Sequence, residues 1–210
     1  MGKITVLQLN KAKRRVTIFF NDSSSFIVDK KVAEEAGLRK GLELSPERVR
    51  EIMEADLAHR CFEAALRFLA YRPRSELETK QRLHRRGYSD DIINKALLRL
   101  KEQKLIDDVA FAQFWKESRL TSNLKSRRLI KYELMRKGIP GEEVDRAIGD
   151  LNDTENAYKA GMKKARLLSS AGYDEFRRRM SSYLRWRGFG YDVIDATTER
   201  LWQGKQKFSK

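Results

Sequence analysis

A repeated corner motif constrains the fold of this chain more than any other feature of its sequence. Three glycines, Gly87, Gly138 and Gly188, lie 51 and 50 residues apart. Each has a leucine four residues before it, a cation one residue before it and a large apolar residue one residue after it. These flanking positions hold Leu83, Leu134 and Leu184; Arg86, Lys137 and Arg187; and Tyr88, Ile139 and Phe189. Self-similarity at a fixed period is typical of tandem structural repeats, so the sequence predicts three units built on one plan.

The motif also predicts where helices end. Glycine takes up the left-handed backbone at a helix C-terminus without a Cβ penalty, and the preceding cations face the negative end of the helix dipole. Acidic first turns such as Asp90–Asp91 and Glu142–Glu143 then predict a second helix. A third helix closes each unit except the last, where too few residues remain. We therefore expect helical repeats over 73–122, 123–171 and 172–210, with the third truncated.

The segments before the repeats have a different character. Alternating apolar residues between 4 and 28 predict a small antiparallel sheet of three strands, which places a β-rich module at 1–44. Ser45-Pro46 is a favourable helix start and opens a charge-balanced helix over 45–72, which we interpret as a spacer. The expected fold is mainly α: three tandem three-helix repeats in an elongated array, preceded by a small N-terminal antiparallel sheet.

The charge balance bounds the choice of partners. The net charge is +15 and the pI is about 10.0, which favours nucleic acid, an anionic membrane surface or an acidic protein. No run approaches the roughly 20 apolar residues of a membrane span, and the N-terminus lacks the apolar region of a signal peptide. A single cysteine, Cys61, excludes an intramolecular disulfide. We expect a cytoplasmic protein that does not contact membranes.

Candidate catalytic and metal-binding patterns are weak. Gly188-Phe-Gly190 lacks the third glycine and the preceding strand of a dinucleotide site. Two histidines and one cysteine cannot close a zinc site with nitrogen and sulfur ligands alone. Asp90–Asp91 and Asp107–Asp108 are explained by helix N-termini. We predict no catalytic residues, no metal and no cofactor. Trp186, between two arginines, could be a core residue or a contact residue.

What remains is the positive charge, which concentrates in the helix before each repeated glycine. Solvated helix faces usually mix both signs, whereas here many of the acidic residues lie in the second helices. We therefore predict a basic face that binds the partner. Its candidate residues are Arg72, Arg74, Arg82, Arg85, Arg86, Lys125, Arg127, Arg128, Lys131, Arg136, Lys137, Arg177, Arg178, Arg179, Arg185 and Arg187.

Several of these segments together resemble the RecX family of bacterial recombination regulators. The resemblance covers about residues 60 to 203, and the N-terminal sheet looks like the extra β segment that some members carry. The matching segments are Arg72-Pro-Arg74 with Ser75–Glu78, Leu83 with Arg86-Gly87, Leu105-Ile-Asp-Asp108 with Phe111-Ala112, Trp115 and Arg119, Lys125-Ser-Arg-Arg128, and Lys137-Gly-Ile139.

The resemblance implies an array of three three-helix units that binds along the RecA–DNA filament and negatively regulates the RecA ATPase and strand exchange. Our first hypothesis is such a regulator, monomeric and non-enzymatic, with weak, salt-sensitive affinity for single- and double-stranded DNA. The alternative is a sequence-independent DNA- or RNA-binding repeat protein with helix-turn-helix-like units. Against it, the second helices begin with acidic residues, which phosphates repel.

Overall fold

The chain folds into two compact units, Met1–Ile106 and Asp107–Lys210. The computed structural model describes residues 2–10, 12 and 14–207, with side chains described as far as Lys205. The end of the third expected repeat, 208–210, lies outside the described residues.

The N-terminal module is a four-stranded antiparallel sheet. Its strands are β1 (Gly2–Asn10), β2 (Arg15–Phe20), β3 (Ser25–Asp29) and β4 (Glu43–Leu44), in the order β3-β2-β1-β4. The three strands predicted from the alternating pattern are confirmed. The fourth strand was not predicted, because two residues are too few to show an alternation.

One face of the sheet is covered by the helices that follow it. Ile4, Ile18 and Val28 point into this core, together with residues of α1 (Lys30–Glu35) and the start of α2 (Pro46–Leu69). The predicted start of α2 is confirmed, since the Ser45 hydroxyl accepts a hydrogen bond from the Arg48 amide at 3.2 Å.

The interpretation of α2 as a spacer is wrong, because both halves of the helix are parts of a core. Ile52 packs under the sheet, whereas Cys61 and Phe62 pack with α3 (Glu76–His84) and α4 (Asp90–Glu102). The apolar stripe of α2 was visible in the sequence. The partners of its two halves were not, because periodicity identifies a buried face without identifying what covers it.

A buried carboxylate ties the sheet to α2. Asp56 accepts hydrogen bonds from both terminal nitrogens of Arg15, at 3.0 and 3.1 Å, and from the Asp29 amide at 2.6 Å. Buried charges are tolerated when they are paired and hydrogen-bonded in this way. The contact fixes strands β2 and β3 onto the middle of the helix.

The second unit is entirely helical within the described residues. Its helices are α5 (Asp108–Ser122), α6 (Arg127–Arg136), α7 (Gly141–Ile148), α8 (Asp153–Arg166), α9 (Tyr173–Trp186) and α10 (Tyr191–Lys207). The mainly helical fold with a small N-terminal antiparallel sheet is confirmed.

The helices pack in three groups: α2–α4, α5–α7 and α8–α10. Phe111 and Ala112 of α5 share a core with Ile130 and Leu134 of α6, and Ala157 of α8 belongs to the core of α9 and α10. Each group therefore starts one helix earlier than the boundaries expected at 73, 123 and 172. The repeated glycine marks the corner between the second and third helices of a group, and the spacing of the corners does not reveal which helix completes each core.

The three glycine corners have the same geometry. Gly87, Gly138 and Gly188 have φ of 83°, 84° and 83°. In each corner the amide after the glycine donates to the leucine carbonyl five residues earlier, at 3.2–3.4 Å, and the glycine amide donates at 2.9–3.0 Å to the carbonyl three residues earlier. This pair of bonds is the Schellman motif. The predicted helix stops are confirmed, and the leucine of each corner is fully buried.

Candidate partner-binding surface

The candidate cations of the first unit divide into structural and free ones. Arg72 is paired with Glu78 at 3.1 Å, and the guanidinium groups of Arg74 and Arg82 lie over the Phe68 ring at 4.2 and 5.7 Å. The side chains of Arg85 and Arg86, at the end of α3, are exposed and have no partner within the described part of the chain. Only these last two are available to a partner.

The candidates on and around α6 divide in the same way. Lys131 pairs with Asp145 at 2.6 Å, and Lys137 lies over the Trp115 ring at 4.0 Å. Arg136 is exposed, with its guanidinium 5.7 Å from the Tyr132 ring centre. The side chains of Arg127 and Arg128 are exposed and have no partner among the described residues.

The candidate cations of α9 also divide into paired and exposed residues. Arg177 pairs with Asp195 at 3.2 Å, Arg179 pairs with Glu175 at 3.0 Å, and Arg187 stacks over Tyr183 at 3.7 Å. Arg178 and Arg185 are exposed, and no acidic or aromatic partner contacts them in the part of the chain that the structure describes. We use the name free cations for the six of the sixteen candidates that are exposed and lack such a partner among the described residues. They are Arg85, Arg86, Arg127, Arg128, Arg178 and Arg185.

Lys125, the remaining candidate, belongs to a cluster around Glu133 that the sequence analysis missed. The Glu133 carboxylate accepts hydrogen bonds from Trp115 Nε1 at 2.8 Å, from Arg119 Nε at 2.7 Å and from the Lys125 ammonium. Its side chain is only 17% exposed. Burial by itself would raise the pKa of this carboxyl, but the hydrogen bonds from Lys125, Arg119 and Trp115 outweigh burial and hold the pKa below its ordinary value.

The Glu133 cluster shows that part of the positive charge near α6 has a structural role. Glu133 is the only acidic residue of α6, and this isolation was the signal in the sequence that could have identified it. The carboxylate links α5 to α6, so Lys125 and Arg119 act here as structural cations.

A direct contact brings free cations of two helix groups together in the second unit. The Ser126 amide donates to the Arg187 carbonyl at 2.9 Å, which joins the start of α6 to the glycine corner of α9. A Cβ added to Gly188 would lie 2.7 Å from Ser126 Oγ and 2.8 Å from Leu129 Cβ. This close approach places Arg127 and Arg128, the first residues of α6, beside the corner that carries Arg185.

The tryptophans are in distinct environments. Trp115 is half-buried against Phe111, and Trp202 packs against Tyr173 and Phe176 with ring centres 5.3 Å apart. Trp186 is 84% exposed. The question left open by the sequence is therefore answered: Trp186 is not a core residue.

The groups that could suggest catalysis have structural roles. Cys61 is fully buried, and burial raises the pKa of its thiol to about 11, which keeps it protonated. Asp107 caps α5 by accepting from the Ala110 amide at 3.0 Å, and Asp90 lies in the first turn of α4, paired with Lys80 and His84. Among residues 2–10, 12 and 14–207, no three acidic, histidine or cysteine side chains are grouped to hold a metal ion. No helix described there is long and apolar enough to cross a membrane.

A small sheet, three groups of three helices and free arginines at helix corners define the class of small, basic helical-repeat proteins. Family models for the first and second three-helix domains of RecX match residues 61–100 and 107–148. These ranges contain most of the buried residues of the first two helix groups. The chain belongs to the RecX family, so the resemblance inferred from the motifs is confirmed.

Individual relatives and solved structures match most of the chain. A regulatory protein RecX of Listeria welshimeri is 30% identical over 93% of this chain and 74% of the relative. Another, from Clostridium perfringens, is 28% identical over 96% of this chain and 97% of the relative. A crystal structure of regulatory protein RecX matches with a TM-score of 0.73 and 25% identity, over 95% of this chain and 100% of that one. RecX from Lactobacillus salivarius matches with a TM-score of 0.59 and 26% identity, over 70% and 97%.

Proposed function

We propose that this protein is a non-enzymatic regulator that binds the RecA–DNA filament and inhibits the RecA ATPase, and so modulates recombination and DNA repair. Membership of a family whose curated relatives are named regulatory proteins supports the regulatory role. The observation that carries the proposal is the set of free cations. Of the sixteen candidate cations, these six arginines stay exposed without a partner among the described residues, whereas the others lie against acidic residues or aromatic rings.

The chemistry of these cations fits a filament that presents phosphates and acidic protein groups. Arginine forms planar, bidentate bonds to both carboxylate and phosphate, so one surface can contact both components. Complementary charge also accelerates the encounter with a highly charged partner. The protein acts as a monomer in this proposal and needs no cofactor.

The direct test is the ATPase rate of RecA on single-stranded DNA while this protein is added. We expect the rate to fall when the protein is present at well below one molecule per RecA, because each bound molecule affects several neighbouring subunits. Pre-mixing the protein with a tenfold excess of DNA that lacks RecA serves as the control for simple sequestration. Inhibition that begins only at ratios sufficient to coat the DNA would contradict the proposal.

A second candidate function is sequence-independent DNA or RNA binding in the absence of a recombinase. The exposed Trp186 beside Arg185 favours it, because aromatic platforms next to cations are typical of single-strand binding. The acidic first turns of α4 and α7 disfavour helix-turn-helix readout of a duplex groove. Comparable affinity for bare DNA and for RecA-coated DNA, with unchanged ATPase, would favour this candidate over regulation.

A further inference from the structure

Trp186 has no structural role that would require an indole. It occupies the position two residues before the repeated glycine, where the other two corners carry Arg85 and Arg136. Those corners form the same Schellman motif with arginine there. The buried residues of this corner are its neighbours Leu184 and Phe189, while Trp186 stays 84% exposed. The tryptophan is therefore dispensable for the fold at this corner.

The surroundings of Trp186 are basic. Arg185 precedes it and is a free cation, and the contact from the Ser126 amide to the Arg187 carbonyl at 2.9 Å places the start of α6 beside the corner. Arg127 and Arg128 follow Ser126 directly and are exposed. The neighbouring Arg187 is engaged, since it stacks on Tyr183 at 3.7 Å.

One carboxylate lies at the edge of this patch. Asp153 accepts a hydrogen bond from the backbone amide of Arg127 at 2.7 Å. Among the described residues, its carboxylate forms no ion pair with the Arg127 guanidinium. The local charge therefore stays positive, since the start of α6 brings Arg127 and Arg128 to the corner that carries Arg185 and Trp186.

An exposed indole at a corner that also carries free arginines matches the chemistry of an unpaired nucleotide. The flat face of tryptophan stacks on any base, and the arginines bind the flanking phosphates. A base within a duplex offers no free face, so the complement of this surface is a single strand. We propose that Trp186, Arg185, Arg127 and Arg128 form a binding site for single-stranded nucleic acid, in which Trp186 stacks on one base. The site needs no recombinase; it rests on the second candidate function and deepens it by naming the residues that hold the strand.

The test compares two oligonucleotides of equal length and charge, a run of thymidines and the same backbone with abasic sites. Trp186→Ala is expected to weaken binding of the thymidine oligonucleotide by about 5- to 150-fold, the range of one base–aromatic stack. Binding of the abasic oligonucleotide should change by less than about two-fold, since it offers no base to stack on. Trp186→Phe, which keeps an aromatic face, should retain most of the affinity for thymidine.

Arg185→Gln is the matched control for charge. It should weaken binding of both oligonucleotides by a similar factor and lower the salt dependence of both, because phosphates are common to the two. Circular dichroism confirms that each variant is folded.

The proposal is overturned if Trp186→Ala binds thymidine as the parent does, or if it loses affinity for the two oligonucleotides equally. It is also overturned if Trp186→Ala weakens binding to RecA-coated DNA alone, since the indole would then contact protein. Regulation could still hold in each of these cases, because the ATPase assay reports on it separately.

Discussion

Gly188→Ala is expected to lower the free energy of unfolding of the second unit by about 2–5 kcal/mol. Part of the loss, about 1–2 kcal/mol, is the cost of placing an L side chain at a left-handed φ, here +83°. The rest comes from overpacking, which costs about 1–3 kcal/mol. The new methyl group would lie 2.7 Å from Ser126 Oγ and 2.8 Å from Leu129 Cβ, so α6 must move away from the corner.

Tryptophan fluorescence during denaturant unfolding measures this effect selectively, because Trp115, Trp186 and Trp202 all lie in the second unit. Gly190→Ala is the control two residues away, where an added Cβ meets nothing within 4 Å and φ lies outside the left-handed range. It should cost less than about 1 kcal/mol, the difference between glycine and alanine at a helix N-cap. Equal losses for the two variants would show that α6 does not press against Gly188.

Glu133→Ala should cost about 2–4 kcal/mol, because it leaves the half-buried cations Arg119 and Lys125 and the Trp115 indole without their common acceptor. Asp145→Ala is the matched control, since its pair with Lys131 is largely exposed, and exposed pairs contribute about 0–1 kcal/mol. Denaturant unfolding followed by fluorescence gives both values. A loss for Glu133→Ala no larger than for Asp145→Ala would contradict the description of the cluster.

The lowered pKa of Glu133 also predicts how the stability of the protein depends on pH. The pKa of Glu133 is held below its ordinary value in the folded protein, so its contribution is present above the pKa of the unfolded chain and disappears as the pH falls through the folded pKa. Since an ordinary glutamate titrates near pH 4.3, the parent should lose stability more steeply than Glu133→Gln between about pH 5 and pH 3. Parallel curves for the two proteins would exclude this role of the carboxylate.

The sequence was most informative where local chemistry decides the structure. The glycine corners, the serine cap at Ser45 and the alternating strands depend on backbone preferences within a few residues, and all were predicted correctly. The pairing of α5 with α6 depends on contacts between residues far apart in the chain. A periodic pattern identifies a buried face but not its partner, which is why the helix groups begin one helix earlier than expected.

The candidate surface was predictable only in part. A count of cations could not distinguish Arg128, which is exposed and free, from Lys131, which is paired with Asp145 of the following helix, α7. Nor could it show that the Arg187 guanidinium stacks on the Tyr183 ring. Pairing depends on the packing of one helix against another, so the sixteen candidates could be reduced to six free cations only with the structure.

The central claim is that the free cations, rather than the total positive charge, bind the filament. Two triple variants of the second unit that remove the same charge test it. One changes the free Arg127, Arg128 and Arg185 to glutamine, and the other changes the acid-paired Lys131, Arg177 and Arg179 to glutamine. The measurement is the concentration of each that half-inhibits the RecA ATPase on single-stranded DNA, after unfolding curves have shown that both are folded.

We expect half-inhibition by the free-cation variant to require at least about ten times more protein than by the parent. Each lost contact contributes ~0.5–1 kcal/mol of binding free energy, and the three contributions add. The paired variant should require less than about three times more, because its cations are already neutralised by neighbouring carboxylates. Equal inhibition by the two variants, or stronger loss in the paired one, would contradict the assignment of the partner-binding surface.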